Sequence, residues 1–150
     1  MNRKWLPRVT VATVIEKDGK FLMVEEDIYG KKILNQPAGH LEPNETLVDA
    51  AIRETLEETG WHIQIKHLIE FSQWTSPNSQ NHYLRACFAG KTIKFNPNQT
   101  LDDGIICAQW LSREEVAKNK HRLRSPLVLH HIDHHISGKQ TDTDVFSYYD

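Results

Sequence analysis

The sequence predicts a layered α/β domain. Three observations carry that prediction. Strand-like and helix-like stretches alternate along the chain, residues 46–59 hold a capped 3.6-residue period, and 150 residues suffice to bury one sizeable core. No internal repeat or low-complexity linker divides the chain, so residues 1–150 read as one domain.

Taken in order, residues 9–15 are dense in β-branched side chains and read as a strand buried on both faces. Lys17-Asp18-Gly19-Lys20 is a turn, and residues 20–25 return as the second strand of a hairpin. Tyr29-Gly30-Lys31-Lys32 reads as another turn, and residues 33–36 as a short extended stretch stopped by Pro37. The helix that follows opens on Thr46, a side-chain cap with Asp49 as its partner, and closes on Gly60, where a left-handed residue is needed. Val48, Ala51, Ile52, Thr55 and Leu56 recur at helical spacing and form its buried stripe. Residues 63–74 and 82–89 read as strands joined by a polar loop, residues 95–104 as a second loop, and residues 105–111 as a strand. Ser112 and Glu115 form a capping box for a short helix, and Ser125-Pro126 begins a last helix that Gly138 closes.

Composition narrows the function classes. Eighteen Lys and Arg against twenty Asp and Glu leave a net charge of −2, which argues against nucleic-acid binding by bulk charge and against a polybasic membrane anchor. No apolar run approaches the roughly 18 residues of a membrane span, and the basic opening MNRKWLPRVT lacks the apolar segment of a secretory signal. Cys87 and Cys107 each lie in an apolar segment and read as reduced core thiols, which fits the cytoplasm.

The helix at 46–59 is the informative element. Glu54, Glu57 and Glu58 stand at i, i+3 and i+4, a second stripe away from the apolar one. Like charges at this spacing repel, and two of them oppose the helix dipole at its C-terminal end. A bound hard cation with oxygen ligands, Mg²⁺ above all, makes the crowding sensible; solvated surface glutamates paired with Arg53 are the alternative.

The surrounding residues decide between these. Gly39, five residues, Glu45, seven residues and then Arg53-Glu54-Thr55-Leu56-Glu57-Glu58-Thr59-Gly60-Trp61 resembles the Nudix box, GX5EX7REUXEEXGU, with U a bulky apolar residue. Every fixed Gly, Glu and Arg matches, while Thr55 and Trp61 depart mildly at U positions. The resemblance implies the Nudix fold, a mixed β-sheet sandwiched between helices, with the box at 39–61. It implies that Glu54, Glu57 and Glu58 hold divalent cations, Mg²⁺ with Mn²⁺ as a possible substitute, joined by the backbone carbonyl of Gly39. Arg53 then orients a ligand glutamate, Glu45 ties the loop to the helix, and Gly60 is structural. The general base is either Glu54 or a downstream acid, Asp102 or Asp103 in TLDDG, for which turn formation is the alternative role.

Other segments narrow the family. Asn35 to Glu42, Gln73-Trp74 with Pro77, and Arg124-Ser125-Pro126-Leu127-Val128 resemble the NudJ-type phosphatase subgroup of bacterial Nudix enzymes over most of residues 7–138. That resemblance implies hydrolysis of nucleoside tri- and diphosphates and of thiamine-type pyrophosphates, hydroxymethylpyrimidine diphosphate included, with release of orthophosphate. It implies a small-molecule partner and a monomer or homodimer. A competing cue is Pro77, sixteen residues past Trp61, a spacing associated with Nudix enzymes that cleave ADP-ribose and other ADP-sugars into two monophosphates. The SQPWPFP-type array of NADH pyrophosphatases is absent. A non-catalytic nucleotide sensor is disfavoured because all the box acids are kept, and RNA decapping has no support from the charge.

For ring recognition, Trp74 and Tyr83 are stacking candidates, with core packing as the alternative. Lys118, Lys120, Arg122 and Arg124 read as a phosphate-facing cluster or a solvated basic stretch, with Arg124 favoured by its segment. His130, His131, His134 and His135 include i, i+4 pairs able to chelate zinc, but a polar face on the last helix is the simpler reading.

Overall fold

A computed structural model describes residues 5–150, so the first four residues of the basic opening lie outside the described residues. Seven strands form one mixed sheet: β1 (Arg8–Lys17), β2 (Lys20–Ile28), β3 (Lys31–Asn35), β4 (Ala38–His40), β5 (Trp61–Thr75), β6 (His82–Phe95) and β7 (Ile105–Leu111). Their order is β3-β2-β1-β6-β5, with β4 on β1 and β7 on β2. Only β1 and β6 run parallel, from Arg8 beside Tyr83 to Ile15 beside Gly90; the other pairings are antiparallel. Three helices cover the sheet: α1 (Leu47–Thr59), α2 (Arg113–Lys118) and α3 (Leu127–Ile136).

The alternation of β1 explains the layering. Val11 packs with Ala50 and Ala51 of α1 and with Phe88. Ala12 and Val14 face the other way, onto Val116 of α2 and Val128 and Ile132 of α3. Both faces of β1 are therefore dry from Thr10 to Ile15, as the β-branched run requires.

Several boundaries differ from expectation. β2 runs on to Ile28, so the second turn is confined to Tyr29 and Gly30, and Lys31 and Lys32 are already in β3. β4 has three residues, too few for a periodic signal, and is stabilised by its ladder to Thr10, Val11 and Ala12. β6 extends to Phe95 because β5 pairs with it from Trp61 onward. The expected apolar stripe of α1 shifts as well. Thr46 caps the helix, accepting from Asp49 N–H at 3.0 Å, but the Asp49 carboxylate gives nothing back. Ala50, Ala51, Thr55, Glu58 and Thr59 are its buried residues, while Val48, Ile52 and Leu56 are half-buried.

Thr55, the polar departure at an apolar box position, is fully enclosed. Its hydroxyl meets Thr13 of β1 at 2.9 Å and donates to Ala51 carbonyl at 2.8 Å. Replacing it by Val strands the Thr13 hydroxyl. Urea denaturation should show Thr55→Val losing about 1–3 kcal/mol, with much of that loss regained in the Thr13→Val/Thr55→Val double variant.

Candidate active site

Arg53 of α1 organises the acidic region. Its Nε and Nη2 grip both oxygens of Glu45 at 3.0 and 2.7 Å, a two-pronged pairing. Nη1 reaches Glu54 at 2.8 Å and Glu57 at 3.2 Å, and Nη2 also donates to the His40 carbonyl at 3.0 Å. Glu45 in turn accepts the Glu42 N–H at 2.8 Å. The Arg53 guanidinium holds the Glu45 carboxyl below the usual range, and Glu45 is the chief reason that Arg53 is held above its own. Loop 41–46, β4 and α1 are thus pinned together by one side chain.

Gly39 completes the floor. A Cβ there would lie 2.0 Å from the Glu54 carboxyl carbon, so any other residue would displace that carboxylate. Burial raises the Glu54 pKa, against the opposing pull of Arg53.

The side chains of the expected acid triplet are divided between two places. Among the described residues, the group of three acid, His or Cys side chains able to share a cation is Glu54, Glu57 and Asp102, with ligand atoms within 4.8 Å of one another. Asp102 arrives from the loop before β7, where its N–H bonds the Glu57 carbonyl at 3.0 Å. Glu58 turns away, its Oε1 accepting the Ala38 N–H at 2.8 Å. Only 6% exposed, it is pushed up by burial to about 9. Asp103 stands outside the group, exposed in a turn closed by Ile105 N–H to the Asp102 carbonyl at 3.1 Å, with Gly104 at φ 88°. Gly60 closes α1 as expected, at φ 79° with its N–H on the Leu56 carbonyl.

A cavity of about 500 Å³ lies toward α3 and brings together cues scattered in sequence: Trp74, Pro77, Lys120, Arg124 and His130 line it. Trp74 and Tyr83 are cross-strand neighbours with ring centroids 5.7 Å apart, so each packs on the other. The basic cluster separates, because Arg122 is tied to Glu25 at 2.9 Å.

The histidines form the expected polar face only in part: His130 is exposed and lies beside His134, with ring centroids 6.4 Å apart. His131 is fully enclosed, bonded to Gln36 at 3.2 Å and pushed down to about 3 by burial. His134 meets Glu70, and His135 meets Glu16 at 3.5 Å. Cys87 is a core thiol as expected, but Cys107 is half-buried and lines a second cavity with Trp61, Phe95 and Trp110. Among the described residues no helix is long and apolar enough to cross a membrane.

Comparison with known proteins places this geometry. Residues 4–132 match the family model described as the NUDIX domain. Phosphatase NudJ of Escherichia coli K12 is 48% identical over 134 residues, 89% of this chain and 86% of the relative, and the Shigella boydii protein of the same name matches equally. A NUDIX hydrolase structure from Nitrosomonas europaea superposes with a TM-score of 0.94 at 43% identity, covering 96% of this chain and 98% of that one.

The buried Glu58 predicts a pH effect. Folded protein keeps its proton up to about pH 9, whereas the unfolded chain releases it near 4.5. This contribution is complete below the lower value and lost as pH rises through the upper. In EDTA the melting temperature should fall between pH 7 and 9. Glu58→Gln, which keeps an acceptor for Ala38, should flatten that slope; an unchanged slope would refute the assignment. His131 acts with the opposite sign and at lower pH, outside this window.

Proposed function

The chain belongs to the Nudix family, in its NudJ-type subgroup, and is a hydrolase of phosphoric anhydrides; from that premise we propose a Mg²⁺-dependent phosphohydrolase of small molecules. In this reading it releases orthophosphate from nucleoside tri- and diphosphates and from thiamine-type pyrophosphates, hydroxymethylpyrimidine diphosphate among them. We further read the chain as a single domain acting in the cytoplasm.

The observation that carries the proposal is the convergence of Glu54, Glu57 and Asp102 within the box and its facing loop. An all-carboxylate set suits a hard divalent cation, with Mn²⁺ as the substitute. Glu54 and Glu57 would hold it, with Asp102 from the loop, the Gly39 carbonyl beneath and Glu58 once it has given up its proton. When bound, such a cation supplies positive charge against phosphate oxygens and makes a nearby water more acidic.

The remaining roles follow from the side chains. Glu54 commits Oε1 to Arg53, which leaves Oε2 to take a proton from the attacking water. Asp102 is the alternative base. Arg53 acts through Glu54 and Glu57, while Glu45 and Gly60 keep the loop and the helix end in place. Asp103 belongs to the turn. Trp74 and Tyr83 offer a ring-binding surface beside the cavity, and Arg124 a cation for phosphate.

A second reading survives on one observation. Pro77 lines the same cavity as Trp74 and Arg124, so an ADP-sugar or dinucleotide pyrophosphatase releasing two monophosphates remains the competitor.

A product assay with Mg²⁺ over GTP, GDP, thiamine diphosphate, a diadenosine polyphosphate and ADP-ribose separates them. Orthophosphate from GTP and GDP is the expected result, and AMP plus ribose phosphate from ADP-ribose alone would sink it. Glu54→Gln should lower kcat by about 10²–10⁴-fold, with Asp103→Asn near wild type. A near-normal Asp102→Asn would remove that side chain from the chemistry. Gly39→Ala, which forces Glu54 out of place, should cost about 10²-fold in kcat.

A further inference from the structure

Arg85 of β6 is a half-buried cation that these roles leave unused. It stands in a row crossing four strands: His40 of β4 pairs with Thr10 of β1, Thr10 with Arg85, and Arg85 with Ser72 of β5. Residues opposite one another share a face of the sheet. Cys87, two positions along β6, packs in the core against α3, so the row faces α3. The next row on that face contains Tyr83 and Trp74, and Trp74 lines the cavity.

Arg85 has no anion. Its Nε donates to the neutral Thr10 hydroxyl at 3.1 Å. Its Nη1 is sealed from solvent without an acceptor, as is the hydroxyl of Ser72 beside it. Among the described residues its Nη2 has no acceptor either. Burial lowers its pKa; among the smaller contributions Cys87, Tyr83 and Glu58 pull it back up and Arg124 lowers it further. A guanidinium offers a fork of donors matched to phosphate, and enclosing one without an acceptor is unfavourable. Such an orphaned group calls for a partner.

We propose that Arg85 is a substrate-binding residue, taking a phosphoryl oxygen of the bound substrate together with Arg124 at the cavity beside Trp74. β4 links this point to the carboxylates: Gly39 touches Glu54 on the α1 side, and the next residue, His40, begins the row of Arg85. The nature of the anion rests on the phosphohydrolase reading, whereas the presence of an anion site does not.

Calorimetric titration with inorganic pyrophosphate in EDTA isolates this contact from the metal and from turnover. Wild type should bind saturably. Arg85→Gln should bind about ten- to a hundredfold more weakly, and Glu114→Gln, at an exposed position of α2, within about twofold of wild type. Wild-type affinity in Arg85→Gln, or no saturable binding by wild type, would overturn the proposal. If the Gln variant does not fold, Arg85→Lys decides: weakened binding supports the fork, and wild-type affinity refutes it. Failure of the hydrolysis assay would leave this binding result standing.

Discussion

The Arg53 guanidinium is the constraint on which the acidic end of the molecule depends. Glu45, Glu54 and Glu57 would repel one another if brought together without it. One side chain touches all three and the His40 carbonyl. Because the guanidinium is planar and always charged, it fixes directions as well as charge, which a lysine in its place would not. The side chain is only about one-fifth exposed, so these pairs are screened less than surface ion pairs. The position of β4 follows from this clamp, and with it the approach of Gly39 to Glu54.

Much of this was legible in the sequence for a physical reason. The box residues lie on one helix and the loop before it, so local spacing encodes their geometry. The caps at Thr46, Gly60 and Ser112 were readable because each acts within four residues. What escaped depends on contacts between distant segments. β4 is a strand only because β1 lies beside it. Asp102 joins Glu54 and Glu57 because its loop docks on the end of α1, and no spacing distinguishes it from Asp103. Arg85 looked like any strand arginine until its register with Thr10 and Ser72 was known.

The acid triplet illustrates the limit of helical periodicity. Spacing correctly puts Glu54, Glu57 and Glu58 on neighbouring positions, yet the rotation of about 100° between i+3 and i+4 sends Glu58 under β4 and leaves Glu57 at the surface. The two carboxyls consequently meet opposite environments. Glu57 is over one-third exposed, while Glu58 is enclosed and keeps its proton at neutral pH. The histidines of α3 show the same effect: four polar residues on one short helix find a buried amide, two carboxylates and a cavity wall instead of a shared solvent face.

The parallel pairing of β1 with β6 has a consequence for how the chain is made. Thr10 and Arg85, joined by a side-chain hydrogen bond, are 75 positions apart. At about 5–20 residues per second, a ribosome needs roughly 4–15 s to synthesise the span between them. Throughout that interval β1, apolar on both faces, has its hairpin with β2 but an open edge where β6 will lie. Closing so distant a contact is also entropically slow. The nascent chain therefore carries an exposed, aggregation-prone edge until most of it has emerged, because the short ladder of β4 lies along the opposite edge of β1.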